Sequence, residues 1–188
     1  MEEFSEVVFK KEDFKEKLFK AVFYESCTFK NCDFSHANFS QAHFEHCVFE
    51  DCNLTQVKVI NTKWQELTFK GCKLSAIDFE HISKMLLSFA FDNCQISYCN
   101  FMGLKITNTA FLNSEIKECD FVKTDLSGSD FSQSNLGGST FNECNLSKAD
   151  FREAQAYQFN PRNNTIKKAK FTSPAVLALL NEYDIEIS

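Results

Sequence analysis

The chain has 188 residues and a formal net charge of −6, from 20 basic and 26 acidic side chains. That length suits one domain with a continuous core, and the acidic balance disfavours nucleic acid as a ligand, because phosphate binding needs cationic surface. No apolar run approaches the roughly 18 residues a membrane span requires. The acidic start (Met1, Glu2, Glu3) has no apolar segment behind it, so the expected location is the cytoplasm.

From the N-terminus, Phe4, Phe9, Phe14 and Phe19 recur at every fifth position, and Phe29, Phe34, Phe39, Phe44 and Phe49 continue the spacing with Tyr24 in the gap. Leu54, Val59, Trp64, Phe69, Leu74 and Phe79 follow in the same frame. After a break the frame resumes at Phe91 and holds to Phe151, leaving only Phe23, Phe89, Phe159 and Phe171 outside it. Five residues fit neither the helical nor the strand period. A short period sustained this long marks a solenoid whose repeats contact only their neighbours. Each unit reads small residue, Asp or Asn, Phe or Leu at the centre, then two polar residues, as in Thr124-Asp125-Leu126-Ser127-Gly128 and Ser129-Asp130-Phe131-Ser132-Gln133. Such corners favour tight turns, leaving one large and one small inward residue per unit. In the first units the small slot holds Glu12 and Lys17, which do not fit a narrow interior; this predicts a frayed or capping first coil.

The nine cysteines all fall in the small slot, two residues before a centre, where Ala37, Ala42, Ser114, Ser129 and Ser134 also stand. Interchange with Ala and Ser reads as buried space filling rather than a disulfide scaffold or metal site.

The unit resembles the pentapeptide-repeat family, whose consensus is A(D/N)LXX, over about residues 4–156. The resemblance implies an all-β fold, a right-handed quadrilateral parallel β-helix with four units per coil. The centres then make about seven coils and a rod roughly 34 Å long. A coil of this kind stacks Cys32, Cys52 and Cys72, Cys27 over Cys47, and Cys99 over Cys119, in a geometry unsuited to disulfide torsions. From Phe91 to Phe151 the centres alternate Phe with Ile or Leu, which puts Phe on two opposite faces.

Between Phe79 and Phe91 the frame slips by two residues, so a register break is expected at about 80–90 as a bulge or kink. One reading is a tolerated insertion. The other is a partner-contacting loop carrying Ser83, Lys84, Met85 and Leu87. Met102 and Val122, one coil apart, would form a small exposed apolar patch for a partner. Beyond Ala156 the repeat stops, dividing the chain into a β-helix, 1–156, and a capping and dimerisation segment, 157–188. There Asn160-Pro161-Arg162 reads as a turn and Ser173-Pro174 as the start of a short C-terminal helix, with Ile185–Ile187 as a strand. The apolar Val176, Leu177, Leu179, Leu180, Ile185 and Ile187 exceed what one cap needs, and a two-fold dimer would cover the rest.

No catalytic constellation is present. His43, His46 and Cys47 do not make a tetrahedral cage, because Cys47 faces inward and His46 outward. Asp120, Asp125, Asp130 and Asp150 occupy the turn position the repeat already demands. Glycine patterns for phosphate or dinucleotide are absent, so no enzyme activity, cofactor or metal is expected. The layout is similar to Qnr-type and microcin-immunity-type pentapeptide-repeat proteins. That likeness implies a homodimer that mimics DNA and protects DNA gyrase or topoisomerase IV from quinolones or peptide toxins. The alternative is a general protein-protein interaction scaffold. Some 34 Å of duplex carries about 20 charges, far above the net −6 here. A basic row, Lys10, Lys30 and Lys70, is broken only by Glu50, so any mimicry is confined to a local face.

Overall fold

The computed structural model describes residues 2–183, 185 and 186. Each five-residue unit forms one side of a four-sided coil, and each side pairs in parallel with the same side of the next coil. On the first face, Glu2–Ser5, Val22–Glu25, His43–Glu45 and Lys63–Gln65 form a four-stranded sheet. The second face carries six strands, from Val8–Lys10 to Phe111–Leu112, and the third carries Lys73–Ser75, Gln95–Ser97 and Glu115–Lys117. The fourth face is joined by isolated bridges such as Leu18 to Asn38 and Asn38 to Lys58. Pairing in the first coils is offset by one coil of sequence, Phe9 to Phe29 to Phe49. This is the quadrilateral parallel β-helix that the family resemblance implies.

The backbone explains the unit. The second residue after nearly every centre turns the corner at positive φ, from Glu6 at 56° to Glu153 at 61°; His81, after Phe79, is an exception. L-residues resist that region, so the ladder between coils must hold it. Gly128 is one such corner, and a β-carbon there would meet Asn108 Oδ1 of the preceding coil, so that the Asn108 amide would have to turn aside. At most units where Asp or Asn precedes the centre, its side chain accepts from the backbone N–H two residues on: Asp33 from Ser35 at 2.8 Å, Asn100 from Met102 at 2.9 Å, Asp125 from Ser127 at 3.1 Å. These local bonds favour a turn over a strand. On the second face the same position holds Val8, Thr28, Val48 and Thr68, and there the chain runs as strand.

The centres fill the core. Phe9, Phe29, Phe49, Phe69, Phe91, Phe111, Phe131, Phe151 and Phe171 stack face to face, neighbours lying 4.8–5.3 Å apart. That column reaches further than the seven coils counted from the sequence. Its eight intervals span about 38 Å at ordinary strand spacing. In the second half it meets a Phe column on the fourth face edge-on, as Phe111 meets Phe121 at 6.0 Å and 90°.

All nine cysteines are free and buried. They do more than fill space. Cys52 Sγ donates to Phe29 O at 3.3 Å and accepts from Cys32 N at 3.4 Å; Ser134 Oγ donates to Phe111 O at 2.6 Å and accepts from Ser114 N at 2.8 Å. The small slot is thus a hydrogen-bonding ladder, and for that reason it takes Cys, Ser and Thr. Burial pushes the Cys47 thiol up to about 12, away from reactive thiolate.

The rod also passes the boundary at 156. Asn145 pairs with Thr165, Asp150 pairs with Lys170, and Phe171 stacks on Phe151. The loop between, with a short 3-10 turn at Pro161–Asn163, hides this return because its centres are Ala156 and Pro161. Asn164 then takes the small slot, accepting from Cys144 N at 2.9 Å and donating to Phe141 O at 3.0 Å. The C-terminal helix is a nine-residue 3-10 helix, Ala175–Tyr183. No strand forms at Ile185 and Glu186, and Ile187 lies outside the described residues.

Candidate functional site

The register break falls late in the expected segment, at Leu87 and Ser88. Ser83 N still bonds Thr62 O at 3.0 Å, in the same register as Lys63 N to Ala42 O one coil earlier. Counting five from Phe79 therefore makes Lys84 the centre of the first face. An ammonium group cannot be buried there unpaired. Lys84 turns outward instead, its Nζ donating to Gly103 O at 3.1 Å. Leu86 takes the corner position with φ 54°. The two extra residues follow as Leu87 and Ser88, after which pairing resumes with Leu67 opposite Phe89 and Phe69 opposite Phe91.

The empty centre is refilled from its surroundings. Leu87 packs against the core, and Phe89 occupies the small slot with its ring 6.1 Å from Trp64 and 6.2 Å from Phe79. Neither a detached loop nor a kink is needed, because one lengthened coil absorbs the insertion. Ser88 N bonds Trp64 O at 3.1 Å, and Ser88 Oγ accepts from Glu66 N at 2.8 Å. The segment is built into the coil.

Its surface is apolar. Met85 is 67% exposed and Leu86 70% exposed. Leu86 is missed by pattern reading because it resembles a centre; counting on from Phe79 would have placed it at a corner. Leu87, predicted as a contact, is instead half-buried, and Ser83 is half-buried in the ladder. Met102 is exposed and Val122, expected to be exposed beside it, is half-buried; Gly103 N bonds Val122 O at 2.9 Å, so the two sit on adjacent coils. Through the Lys84–Gly103 bond, the lengthened coil and this patch share one edge of the rod.

The tail residues divide. Val176 and Leu179 pack on the end of the core, while Leu177, Leu180 and Ile185 are exposed. Beside them Asp150 accepts from Arg152 through both carboxylate oxygens and from Lys170 Nζ at 3.2 Å. The Arg152 bonds hold its carboxyl at about 2. Asp125 and Asp130 are used in turn bonds to Ser127 N and Ser132 N. His43 bonds Gln65 at 2.6 Å and stacks on Phe23, while His46 meets Glu66 at 3.2 Å. Among the described residues, no group of His, Cys, Asp and Glu is placed to hold a metal ion, and no helix is long and apolar enough to cross a membrane.

A rod of stacked five-residue units, with a centre and a small slot in each, defines a class of protein. Models of pentapeptide repeats match residues 22–84, 91–133 and 119–155, and the chain belongs to the pentapeptide-repeat family. Among solved structures it is similar to two trypsin-treated variants of QnrB1, described as a plasmid-mediated fluoroquinolone resistance protein. One aligns at 20% identity and TM-score 0.51 over 98% of this chain and 99% of that one. The other aligns at 20% identity and TM-score 0.50 over 99% and 100%. HetL, a pentapeptide-repeat protein involved in heterocyst differentiation regulation in the cyanobacterium Nostoc, aligns at 14% identity and TM-score 0.44 over 90% and 86%. No curated protein matches the chain.

Proposed function

We propose that the protein is a non-catalytic, cytoplasmic binding protein that occupies a bacterial type II topoisomerase, DNA gyrase or topoisomerase IV, and protects it from a quinolone or peptide toxin. The observation that carries this reading is the Met85–Leu86 turn, held by Lys84 against Gly103 beside Met102. Elsewhere along the middle of the rod, corners carry mostly polar residues or glycine. An exposed apolar pair on a braced turn is the kind of anchor partner surfaces use. The fluoroquinolone resistance named for QnrB1 supplies the partner class. The modest acidity supports DNA mimicry only along a local face. Leu177, Leu180 and Ile185, uncovered beside the capping Val176 and Leu179, support a homodimer joined at the C-terminal end.

The test is a supercoiling assay with purified gyrase and a fluoroquinolone. Protection is expected from the intact chain and is lost in Met85→Asp/Leu86→Asp, whose circular dichroism should match the parent. Deleting Ser83–Ser88 is the wrong experiment, because it removes ladder and core residues together. Absence of any rescue or inhibition by the intact chain would favour a general protein-protein interaction scaffold. For the dimer, Leu177→Asp/Leu180→Asp should shift the light-scattering mass to that of one chain at low micromolar protein and high salt, where charge-paired contacts elsewhere on the rod are screened.

A further inference from the structure

The first coil differs from every coil beneath it in charge. Residues 2–21 carry eleven charged side chains, against three in residues 22–41, Glu25, Lys30 and Asp33. All eleven are exposed, and they are sorted by face. The first face has Glu2, Glu3 and Glu6 with no base; the second has Lys10 and Lys11 with no acid. The third has Glu12, Asp13 and Glu16 against Lys15, and the fourth has Lys17 and Lys20 alone. The sign alternates around the square.

This coil is also the open end of the ladder. Among the described residues, strands Glu2–Ser5 and Val8–Lys10 are each the outermost of their sheets, with one edge unpaired. Phe4 and Phe9, 5.7 Å apart and edge to face, are only half-buried, whereas the next rings in their columns, Tyr24 and Phe29, are buried. Val8 is 51% exposed. Lys17 Nζ lies 5.0 Å from the Phe14 ring and 5.6 Å from Phe19, covering the opposite side of the end.

Charge alone could simply guard an edge against pairing. Repulsion between copies, however, is served by a single sign. Alternating signs do the reverse: a two-fold axis across the end, through the corner between first and second faces, sets acidic on basic at all four sides. It also lays Phe4 of one copy against Phe9 of the other and brings the edge strands together antiparallel. We infer that the N-terminal coil is an end-to-end contact surface for a second copy of this chain, the first face of each copy resting on the second face of the other and the third on the fourth. This surface is separate from the exposed leucines at the C-terminal end, and does not depend on the topoisomerase reading.

The experiment is sedimentation velocity of the full chain in a Leu177→Asp/Leu180→Asp background, which silences the other end. Self-association is expected, weakening as salt screens the charge pairs. Glu2→Lys/Glu3→Lys/Glu6→Lys makes two adjoining faces basic, and Lys10→Glu/Lys11→Glu makes them acidic. Each alone should raise the dissociation constant at least about tenfold, and an equimolar mixture of the two should restore association through mixed pairs. Because every substituted residue is exposed, folding should survive, as circular dichroism will check. A background protein that stays monomeric at high micromolar concentration overturns the inference. So do single variants that associate as before, or a mixture that fails to recover.

Discussion

The two halves of the rod share one backbone path but reach it by different local chemistry. Up to Lys117 the coils are faced with strands; among the described residues none follows. The division follows the residue before the centre. Val, Thr and His there leave the backbone free to run as strand, while the Asp and Asn of residues 119–155 bond their own turn. The small slot changes too, from a mixture of Cys and Ala with Val, Leu and Ile before the lengthened coil to chiefly Ser, Thr, Cys and Ala after it. The cores differ too. In the second and third coils the rings meet at successive corners, Phe29 with Phe34 at 5.4 Å and Phe34 with Phe39 at 5.4 Å. In the second half, Phe on two faces alternates with Ile or Leu on the others. The coil is therefore fixed by the inward pair of residues and the corner φ, and strand content is a by-product of one outward position.

Core truncation should erase the distinction. Phe29→Ala in the strand-faced half and Phe131→Ala in the turn-faced half each remove a fully buried ring from the same column. Each should cost about 3–5 kcal/mol in urea unfolding. If only one did so, the two halves would not share a core logic, and the column would have to be treated as two.

The slot ladder should separate them. Ser134→Ala strands Ser114 N–H and Phe111 C=O in the core, for about 1–3 kcal/mol. Cys52→Ala gives up only long sulfur contacts of 3.3 and 3.4 Å and should cost less. Equal losses would mean that thiols carry the ladder as well as hydroxyls do. The turn position is weaker still. Asp125→Ala, which frees Ser127 N–H at an accessible corner, should cost about 0.5–1.5 kcal/mol.

Much of this was legible because five-residue spacing sorts side chains by direction without any reference to secondary structure. A solenoid and the inward role of all nine cysteines come from that spacing; the four-sided coil, and with it the adjacency of Met102 and Val122, came from the family resemblance. What stayed hidden was occupied by the wrong residue type at the right position. Lys84 is a centre by count but not by chemistry, so spacing brackets the break at about 80–90 without showing that Leu87 and Ser88 are the two extra residues. Ala156 and Pro161 likewise mask a coil that Ile166 and Phe171 complete. Of the tail, the sequence reveals apolarity but not its use: Val176 and Leu179 face the core while Leu177 and Leu180 do not, a division set by how the 3-10 helix lands on the last coil.

The smallest expected effect lies where the turn-faced half ends. Asp150 makes the turn bond of its class, to Arg152 N at 3.1 Å, and in addition the Arg152 guanidinium and Lys170 ammonium bonds. Those partners lower its carboxyl from the ordinary 3.8 to about 2. The folded state thus binds this proton less readily than the unfolded chain does. The stabilisation is complete above the ordinary carboxylate range and drains away as pH falls through about 2. Arg152 is 58% exposed, so solvent screening keeps the contribution of the pair small. Asp150→Asn should keep the turn bond yet lose this acid-dependent component. Urea midpoints of parent and variant, compared at pH 6 and near pH 3, should therefore converge on acidification. A constant gap between them would place the Asp150 contribution in the turn alone, as at the other corners of that half.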